Sequence, residues 1–306
     1  MSQTGPAVPQ REKKSSSRQL PARALSAIHS HPWRSRVALL AYAAVATLPH
    51  AQVQWATNEV AIHIGMLNLY RLSAAIILML AAILTAVLFR RVWGQAEGGR
   101  ILGLWFLTVA LIVGAWSGLT ANNVELIHYP QYFPEGILFA AMTLSPPEAL
   151  AWVVLFGGLD ESYQYWVLPR TRVSLLDFND IYMDLLGGAA GIVFAMAFLR
   201  RVRQPDPGAW RRAWKRPGPA ILLAMIGMGA VLWSLGLMLI ERDKSNPHYW
   251  FALGDFRAPS FWAQVVENGP KHYHTFTPVE GVVVILATIV LYAALSRKIG
   301  LRADRG

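Results

Sequence analysis

The 306-residue chain contains no cysteine, and only 15% of its residues are charged. Without cysteine there is no disulfide framework, no thiolate metal site and no cysteine nucleophile. A typical soluble domain carries about 25% charged residues, so the small charged fraction argues against an ordinary soluble enzyme. The sequence also contains no nucleotide-binding loop, Rossmann glycine pattern, zinc motif or nucleophile elbow, which argues against a primary pump.

Apolar residues are abundant instead, at 54% of the chain, and they are concentrated in long runs. A membrane-crossing helix needs about 20 mostly apolar residues. These runs predict an all-α fold, a polytopic transmembrane helix bundle with about eight spans. The predicted spans are 37–54, 69–90, 101–120, 127–145, 147–166, 178–200, 219–241 and 278–297. The Pro-rich break at 145–147 predicts that the fourth and fifth spans form an antiparallel hairpin.

The distribution of Lys and Arg predicts the orientation of the bundle. If the N-terminus is cytoplasmic, 21 of the 28 basic residues fall on the cytoplasmic side, as the positive-inside rule expects. We therefore predict that the N- and C-termini are both cytoplasmic. The net charge of +10 then places basic ends against anionic membrane lipids, and no nucleic-acid partner is predicted.

The composition divides the chain into three parts. They are a flexible basic cytoplasmic tail (1–35), a transmembrane core (36–203) and a C-terminal extension of two transmembrane helices (204–306) with an aromatic outer loop (242–277). His272 and His274 in that loop form a weak metal-binding pattern, and we expect both to be solvated or interfacial, because histidine is often an amphipathic surface residue.

Two pairs of glycines have the small-xxx-small spacing that lets membrane helices approach closely. Gly114 and Gly118 form one pair in the third predicted span, and Gly187 and Gly191 form the other in the sixth. Both pairs predict helix packing. Such pairs are common in membrane bundles, so they indicate architecture rather than function.

Ionisable residues inside membrane spans are costly and mark functional sites by default. In this chain they concentrate between residues 125 and 184, where the predicted topology brings the outer ends of three helices together. The run from Asp177 to Asp184 steps by three or four residues, which places its carboxylates on one helical face. We call the candidate binding residues the polar cluster. They are Glu125, His128, Glu161, Gln164, Arg170, Arg172, Asp177, Asp180 and Asp184.

Two interpretations of the polar cluster are open. In the first, Arg170 and Arg172 pair with the carboxylates in a structural network, and Asp177 and Asp180 cap the sixth span. In the second, the arginines hold the phosphate of a headgroup, and a carboxylate or His128 serves as acid or base. Several carboxylates can also bind Mg²⁺ or Ca²⁺, but no established ligand spacing occurs, so no metal and no cofactor is predicted.

The same residues resemble the VanZ-like family of bacterial integral membrane proteins. The resemblance rests on Glu161-x-x-Gln164, then an arginine, then Asp177-Phe178-Asn179-Asp180 and the spaced glycines. It is good over 125–200, weaker over 37–124, and does not cover 204–306. The chain departs from the family in having Asp184 where the family usually has asparagine, and two arginines compete for the family's single position.

The resemblance implies a multi-pass protein of the bacterial cytoplasmic membrane that is linked to the cell envelope or to resistance against teicoplanin-type glycopeptide antibiotics. It supplies no reaction. We therefore expect the polar cluster to bind a lipid-linked or amphiphilic envelope molecule, with membrane lipids or a membrane protein as further partners. The alternatives are a non-catalytic subunit of a larger membrane complex, favoured by the aromatic loop and 12 tryptophans, and a membrane enzyme acting on a lipid headgroup. No catalytic residue is assigned.

Overall fold

The computed structural model describes ten stretches of the chain, and their architecture is all-α, as predicted. The described residues are 20–48, 50–95, 97–120, 123–167, 176–202, 209–239, 251–253, 261–264, 272–297 and 299–302. Within them the chain forms eleven α-helices, one 3-10 helix and three pairs of very short strands.

Eleven α-helices follow one another along the described part of the chain. They are α1 (Leu20–Ser30), α2 (Pro32–Thr47), α3 (His50–Ile64), α4 (Met66–Val92), α5 (Gly98–Gly118), α6 (His128–Thr143), α7 (Pro146–Val167), α8 (Phe178–Phe198), α9 (Ala209–Ala213), α10 (Pro217–Ser234) and α11 (Pro278–Ser296). The 3-10 helix, Asn123–Ile127, runs directly into α6.

The strands join segments that lie far apart in the chain. They are β1 (Arg200–Val202) antiparallel to β6 (Gly300–Arg302), β2 (Met238–Leu239) parallel to β3 (Phe251–Ala252), and β4 (Ala263–Gln264) antiparallel to β5 (His272–Tyr273). In the first pair Arg200 lies opposite Arg302. This pairing ties the chain that leaves α8 to the chain that leaves α11.

Helix α8 lies at the centre of the bundle, and its glycines bring its backbone against that of α6. A Cβ added at Gly191 would collide with the carbonyl oxygen of Phe133, and one added at Gly136 would collide with that of Gly188. A Cβ on Gly187 would lie 2.7 Å from the carbonyl oxygen of Tyr129. Only glycine permits this approach, which is the close packing expected of small residues in membrane helices.

The hairpin of α6 and α7 is present as predicted. Helix α6 stops at Leu144, whose φ of 52° is left-handed, and α7 begins two residues later at Pro146. The two helices pack through Phe139, which stacks on Trp152 with ring centroids 6.2 Å apart and meets Phe156 edge-on at 5.3 Å. The turn is tight because the prolines that open α7 cannot continue the preceding helix.

The first predicted span is wrong in its extent. The prediction ran one helix through 37–54, whereas α2 ends at Thr47 and α3 starts at His50. Pro49 lies between them in the sequence, and a proline inside a helix removes a backbone hydrogen bond and clashes with the preceding turn. The predicted flexible tail also differs, since α1 occupies its second half and buries Leu25 against the core.

Five of the described helices are long and apolar enough to cross a membrane, namely α4, α5, α8, α10 and α11. Helices α2 and α6 have 16 residues each, about 24 Å at 1.5 Å per residue, against a hydrocarbon core of about 30 Å. Helix α7 has 22 residues but contains three carboxyl groups. The fold is therefore that of a helical membrane protein, and the count of eight spans and the orientation stay predictions.

The extension is attached to the core at both ends. At one end Arg216, just before α10, forms a 2.7 Å ion pair with Glu148 of α7 and donates to the carbonyl of Thr143. At the other end Gly281 of α11 lies directly against the ring of Phe178, leaving no space for a Cβ. Between these ends Tyr292 of α11 and Thr108 of α5 share a buried hydrogen bond of 2.5 Å.

Candidate functional site

The end of the bundle where α8 begins contains a group of polar side chains from three helices. His128 opens α6, Gln164 lies near the end of α7, and Asp177 precedes α8. These helix ends are brought together because α6 and α8 are in backbone contact and α7 is the hairpin partner of α6.

His128 lies between two carboxylates of α8. Its Nδ1 is 2.8 Å from Oδ1 of Asp184, and its Nε2 is 3.5 Å from Oδ2 of Asp180. The two aspartates are four residues apart, so they project from the same face of α8. His128 and Asp184 are buried, whereas the side chain of Asp180 is 18% exposed. The imidazole therefore connects a partly exposed carboxylate with a fully buried one.

Gly157 of α7 makes room for the deeper carboxylate. A Cβ at this position would lie 2.7 Å from Oδ2 of Asp184, so any other residue would push the aspartate away from His128. The bundle around Asp184 therefore contains a histidine and a glycine that accommodate its carboxylate.

Glu161 and Gln164 form a second element of the polar cluster. The Gln164 amide donates to Oε1 of Glu161 at 2.7 Å, and both side chains are buried. Glu161 also interacts electrostatically with Asp177, Asp180 and His128. The glutamate and glutamine of the motif therefore lie beside the histidine and the aspartates rather than forming a separate site.

Asp177 caps α8 and lies outside the apolar span. Its Oδ1 accepts from the backbone N–H of Asn179 at 2.8 Å, which satisfies one of the free donors of the first helical turn. Burial raises the pKa of Asp177, while backbone hydrogen bonds from Asn179 and Asp180 and the charge of His128 oppose that rise. The capping role is the one that the structural interpretation expected.

Glu125 lies on the 3-10 helix before α6, where it is half-buried and interacts electrostatically with Asp180. Arg170 and Arg172 lie outside the described residues. The structure thus brings together the seven described members of the polar cluster, and the predicted phosphate-binding role of the two arginines stays a prediction. Among the described residues no group of three His, Asp or Glu side chains is arranged to hold a metal ion.

The extension covers the beginning of α8 through the amide of Asn179. Its Nδ2 donates to the carbonyls of Leu119 and His274, at 2.9 and 2.7 Å, and its Oδ1 accepts from the backbone N–H of Phe276 at 2.9 Å. One side chain therefore joins the end of α5, the start of α8 and the segment that leads into α11.

His274 is buried, so the expectation of a solvated or interfacial histidine is wrong for this residue. Its ring stacks on Phe261 with centroids 3.9 Å apart, and its Nε2 is 3.4 Å from Oε2 of Glu280. His272 is exposed, as expected. The two histidines therefore lie in different environments, although they are only two residues apart.

Three buried residues near the polar cluster are not among its predicted members, although Asp160 lies in the region where the sequence predicts ionisable residues to concentrate. Tyr132 and Glu135 of α6 and Asp160 of α7 are all buried, and the Tyr132 hydroxyl donates to Oδ2 of Asp160 at 3.3 Å. Glu135 interacts electrostatically with Asp160 and Asp184. The available signal was the spacing on α6, since 128, 132 and 135 step by four and three residues and so share one helical face.

Comparison with known proteins adds no family. No family model matches the chain, no curated protein is significantly similar to it, and no solved structure matches it. The resemblance to VanZ-like proteins therefore rests on the motif residues alone.

Proposed function

We propose that this chain is a VanZ-like multi-pass protein of the bacterial cytoplasmic membrane, and that its polar cluster binds the headgroup of a lipid-linked or amphiphilic envelope molecule. In this proposal α2, α4, α5, α6, α7, α8, α10 and α11 cross the membrane, both termini are cytoplasmic, and the polar cluster opens toward the outer leaflet. The basic residues support this orientation, since Arg90, Arg91 and Arg216 lie at the opposite end of the bundle from Asp177.

The observation that carries the proposal is the position of His128 between the carboxylates of Asp180 and Asp184. Oδ1 of Asp184 contacts the imidazole at 2.8 Å, whereas Oδ2 of Asp180 is 3.5 Å from it and the Asp180 side chain is partly exposed. A carboxylate accepts hydrogen bonds and does not donate them. Asp180 at the edge of the cluster is therefore suited to a ligand that supplies donors.

The chemistry of the described residues favours a headgroup rich in hydroxyl or amine groups. The described cluster contains five carboxyl groups (Glu125, Glu161, Asp177, Asp180 and Asp184) and one histidine. An anion on its own would be repelled by these carboxylates, whereas a sugar or an amino group donates to them. A phosphate in the same headgroup would need Arg170 or Arg172.

Native mass spectrometry of the protein released from its own membrane tests this proposal. The wild type is compared with Asp180→Asn, which keeps the side-chain size, and with Glu59→Gln on α3 as a carboxyl control outside the cluster. We expect a discrete lipid or envelope precursor on the wild type and on Glu59→Gln that is lost from Asp180→Asn. The same bound molecules on all three proteins would contradict a site at Asp180.

The proposed link to glycopeptide resistance is tested separately in cells. Expression in a teicoplanin-susceptible bacterium is expected to lower susceptibility to teicoplanin, and Asp180→Asn at the same membrane abundance is expected to abolish the difference. Unchanged susceptibility with the wild-type protein would contradict the resistance role. It would not contradict headgroup binding, which the mass-spectrometry measurement tests separately.

A further inference from the structure

A group of three buried acids lies on the inner side of the polar cluster and shares Asp184 with it. We call Glu135, Asp160 and Asp184 the buried acids, and their exposed fractions are 2%, 1% and 0%. They come from three different helices, α6, α7 and α8, and electrostatic interactions join all three. Tyr132 completes the surroundings by donating to Asp160.

Glu135 and Asp184 each have a buried oxygen that accepts no hydrogen bond in the described structure. Oε2 of Glu135 and Oδ2 of Asp184 are fully shielded from solvent and receive no hydrogen bond from any residue that the structure describes. A buried ionised carboxylate without donors is strongly disfavoured, and adjacent like charges increase the penalty. A proton on one carboxyl removes a charge and turns an acceptor oxygen into a donor. The site is therefore built to hold a proton.

His128 connects the buried acids with the surface. Its Nδ1 contacts Asp184 and its Nε2 faces Asp180, whose side chain is 18% exposed. Imidazole exchanges a proton near neutral pH and has a nitrogen on each side of the ring. His128 and Glu135 lie seven residues apart on α6, about 10 Å at 1.5 Å per residue, and Asp184 interacts with both of them.

We propose that the buried acids form a proton-binding site inside the bundle, with the proton on Glu135 and delivered from Asp180 through His128. The groups that face Glu135 are Tyr132 of α6, Asp160 of α7, Asp184 of α8 and Tyr42 of α2. The groups that face His128 are Asp177, Asp180, Asp184 and Glu161. The proton comes from water at Asp180, and no other reactant is needed. This site does not depend on a headgroup at the polar cluster, so it goes beyond the proposed function.

Infrared spectroscopy of the full chain in lipid nanodiscs tests the proposal, because a protonated carboxyl has a carbonyl stretch distinct from that of a carboxylate. We expect this band in the wild type at neutral pH. Glu135→Gln is expected to lose it, since the amide has the same shape but no acid proton. Glu148→Gln is the matched control, because Glu148 is paired with Arg216 at the other end of the bundle, and it should keep the band.

The path is tested by exchange into heavy water. Deuterium shifts the carbonyl band, so the rate of the shift reports access of water to the proton. His128→Gln is expected to keep the band and to slow its shift. An equal rate in His128→Gln and wild type would overturn the delivery route through the imidazole.

Three results would overturn the site itself. The first is a wild-type protein without the band at neutral pH, which needs no variant. The second is a folded Glu135→Gln protein that keeps the band at full strength. The third is loss of the wild-type band when sodium chloride replaces choline chloride, because the buried acids would then take a sodium ion instead of a proton.

Discussion

Helices α4 and α8 are both long and apolar, yet they lie in opposite environments. Within their most apolar stretches, 6% of α4 is buried in the bundle against 89% of α8. The more apolar helix is α4, and it is the exposed one. Helix α8, which carries Asp180, Asp184 and the packing glycines, is surrounded by α5, α6, α7 and α11.

This difference reverses the rule for proteins in water. Lipid tails are as apolar as leucine side chains, so burial in a membrane bundle follows from close backbone packing and polar contacts rather than from hydrophobicity. The most apolar of the candidate spans, α4, is therefore the one that the bundle covers least. A polar and glycine-rich face marks the helix at the centre.

The largest expected effect comes from removing His128, which lies between Asp180 and Asp184. His128→Ala leaves Asp184 and Asp180 without their shared partner, and breaking a buried ion pair costs about 3–5 kcal/mol. The measurement is the unfolding free energy in mixed micelles. His63→Ala on the exposed α3 is the control and should change little. A loss below about 1 kcal/mol for His128→Ala would mean that the contact with Asp184 is not ionic.

A leucine pair compares the two helices directly. Leu186 of α8 is fully buried and Leu78 of α4 is 56% exposed. Leu186→Ala is expected to cost about 2–5 kcal/mol because it leaves a cavity, whereas Leu78→Ala should stay within about 0.5 kcal/mol. Unfolding in the same micelles measures both. Equal losses would show that α4 is also covered, for example by a partner protein instead of lipid.

A glycine pair sharpens the same comparison. Gly191→Ala places a methyl group against the backbone of α6, and overpacking of this kind costs about 1–3 kcal/mol. Gly114→Ala on α5 meets no atom within 4 Å and should be neutral or stabilise by up to about 1 kcal/mol, since alanine is the better helix former. If thermal unfolding places both variants at the same temperature, the contact between α6 and α8 is looser than described.

The smallest expected effect concerns pH. Burial raises the pKa of Asp177 in the folded chain, so the folded state holds this proton more tightly than the unfolded state. Stability is then greatest below the ordinary aspartate range and falls as the pH rises through the folded pKa. Asp177→Asn keeps the cap and should flatten this part of the curve of thermal stability against pH. An unchanged curve of thermal stability against pH in Asp177→Asn would show that other groups cause the pH dependence.

The sequence could predict the helices and their faces but not which faces meet. The break at Leu144 and the stripe from Asp177 to Gly191 were predictable, because prolines and residue spacing are local signals. Gly114 has the same spacing as Gly187, yet within the described structure Gly187 meets α6 whereas Gly114 meets no atom within 4 Å. A small-xxx-small pattern describes a smooth surface and carries no information about its partner.

The deeper part of the site was out of reach for a related reason. Glu135 belongs to the site because it interacts with Asp184, which lies 49 positions away in the sequence. A single sequence contains no signal for such a pairing. The burial of His274 likewise depends on Phe261 and Glu280, which the fold brings to it. The sequence identifies the polar residues that are costly inside a membrane. Only the fold shows which of them are partners.

Asn179 has a consequence for the order in which the protein is made. Two of its three hydrogen bonds go to residues 274 and 276, which leave the ribosome almost a hundred residues after Asn179 itself. Until then the start of the central helix presents an amide with only Leu119 to bind. The hydrogen bonds that join α8 to the segment before α11 can therefore form only after residues 274 and 276 have been synthesised. The first helices can insert earlier, but this part of the bundle is completed only together with α11.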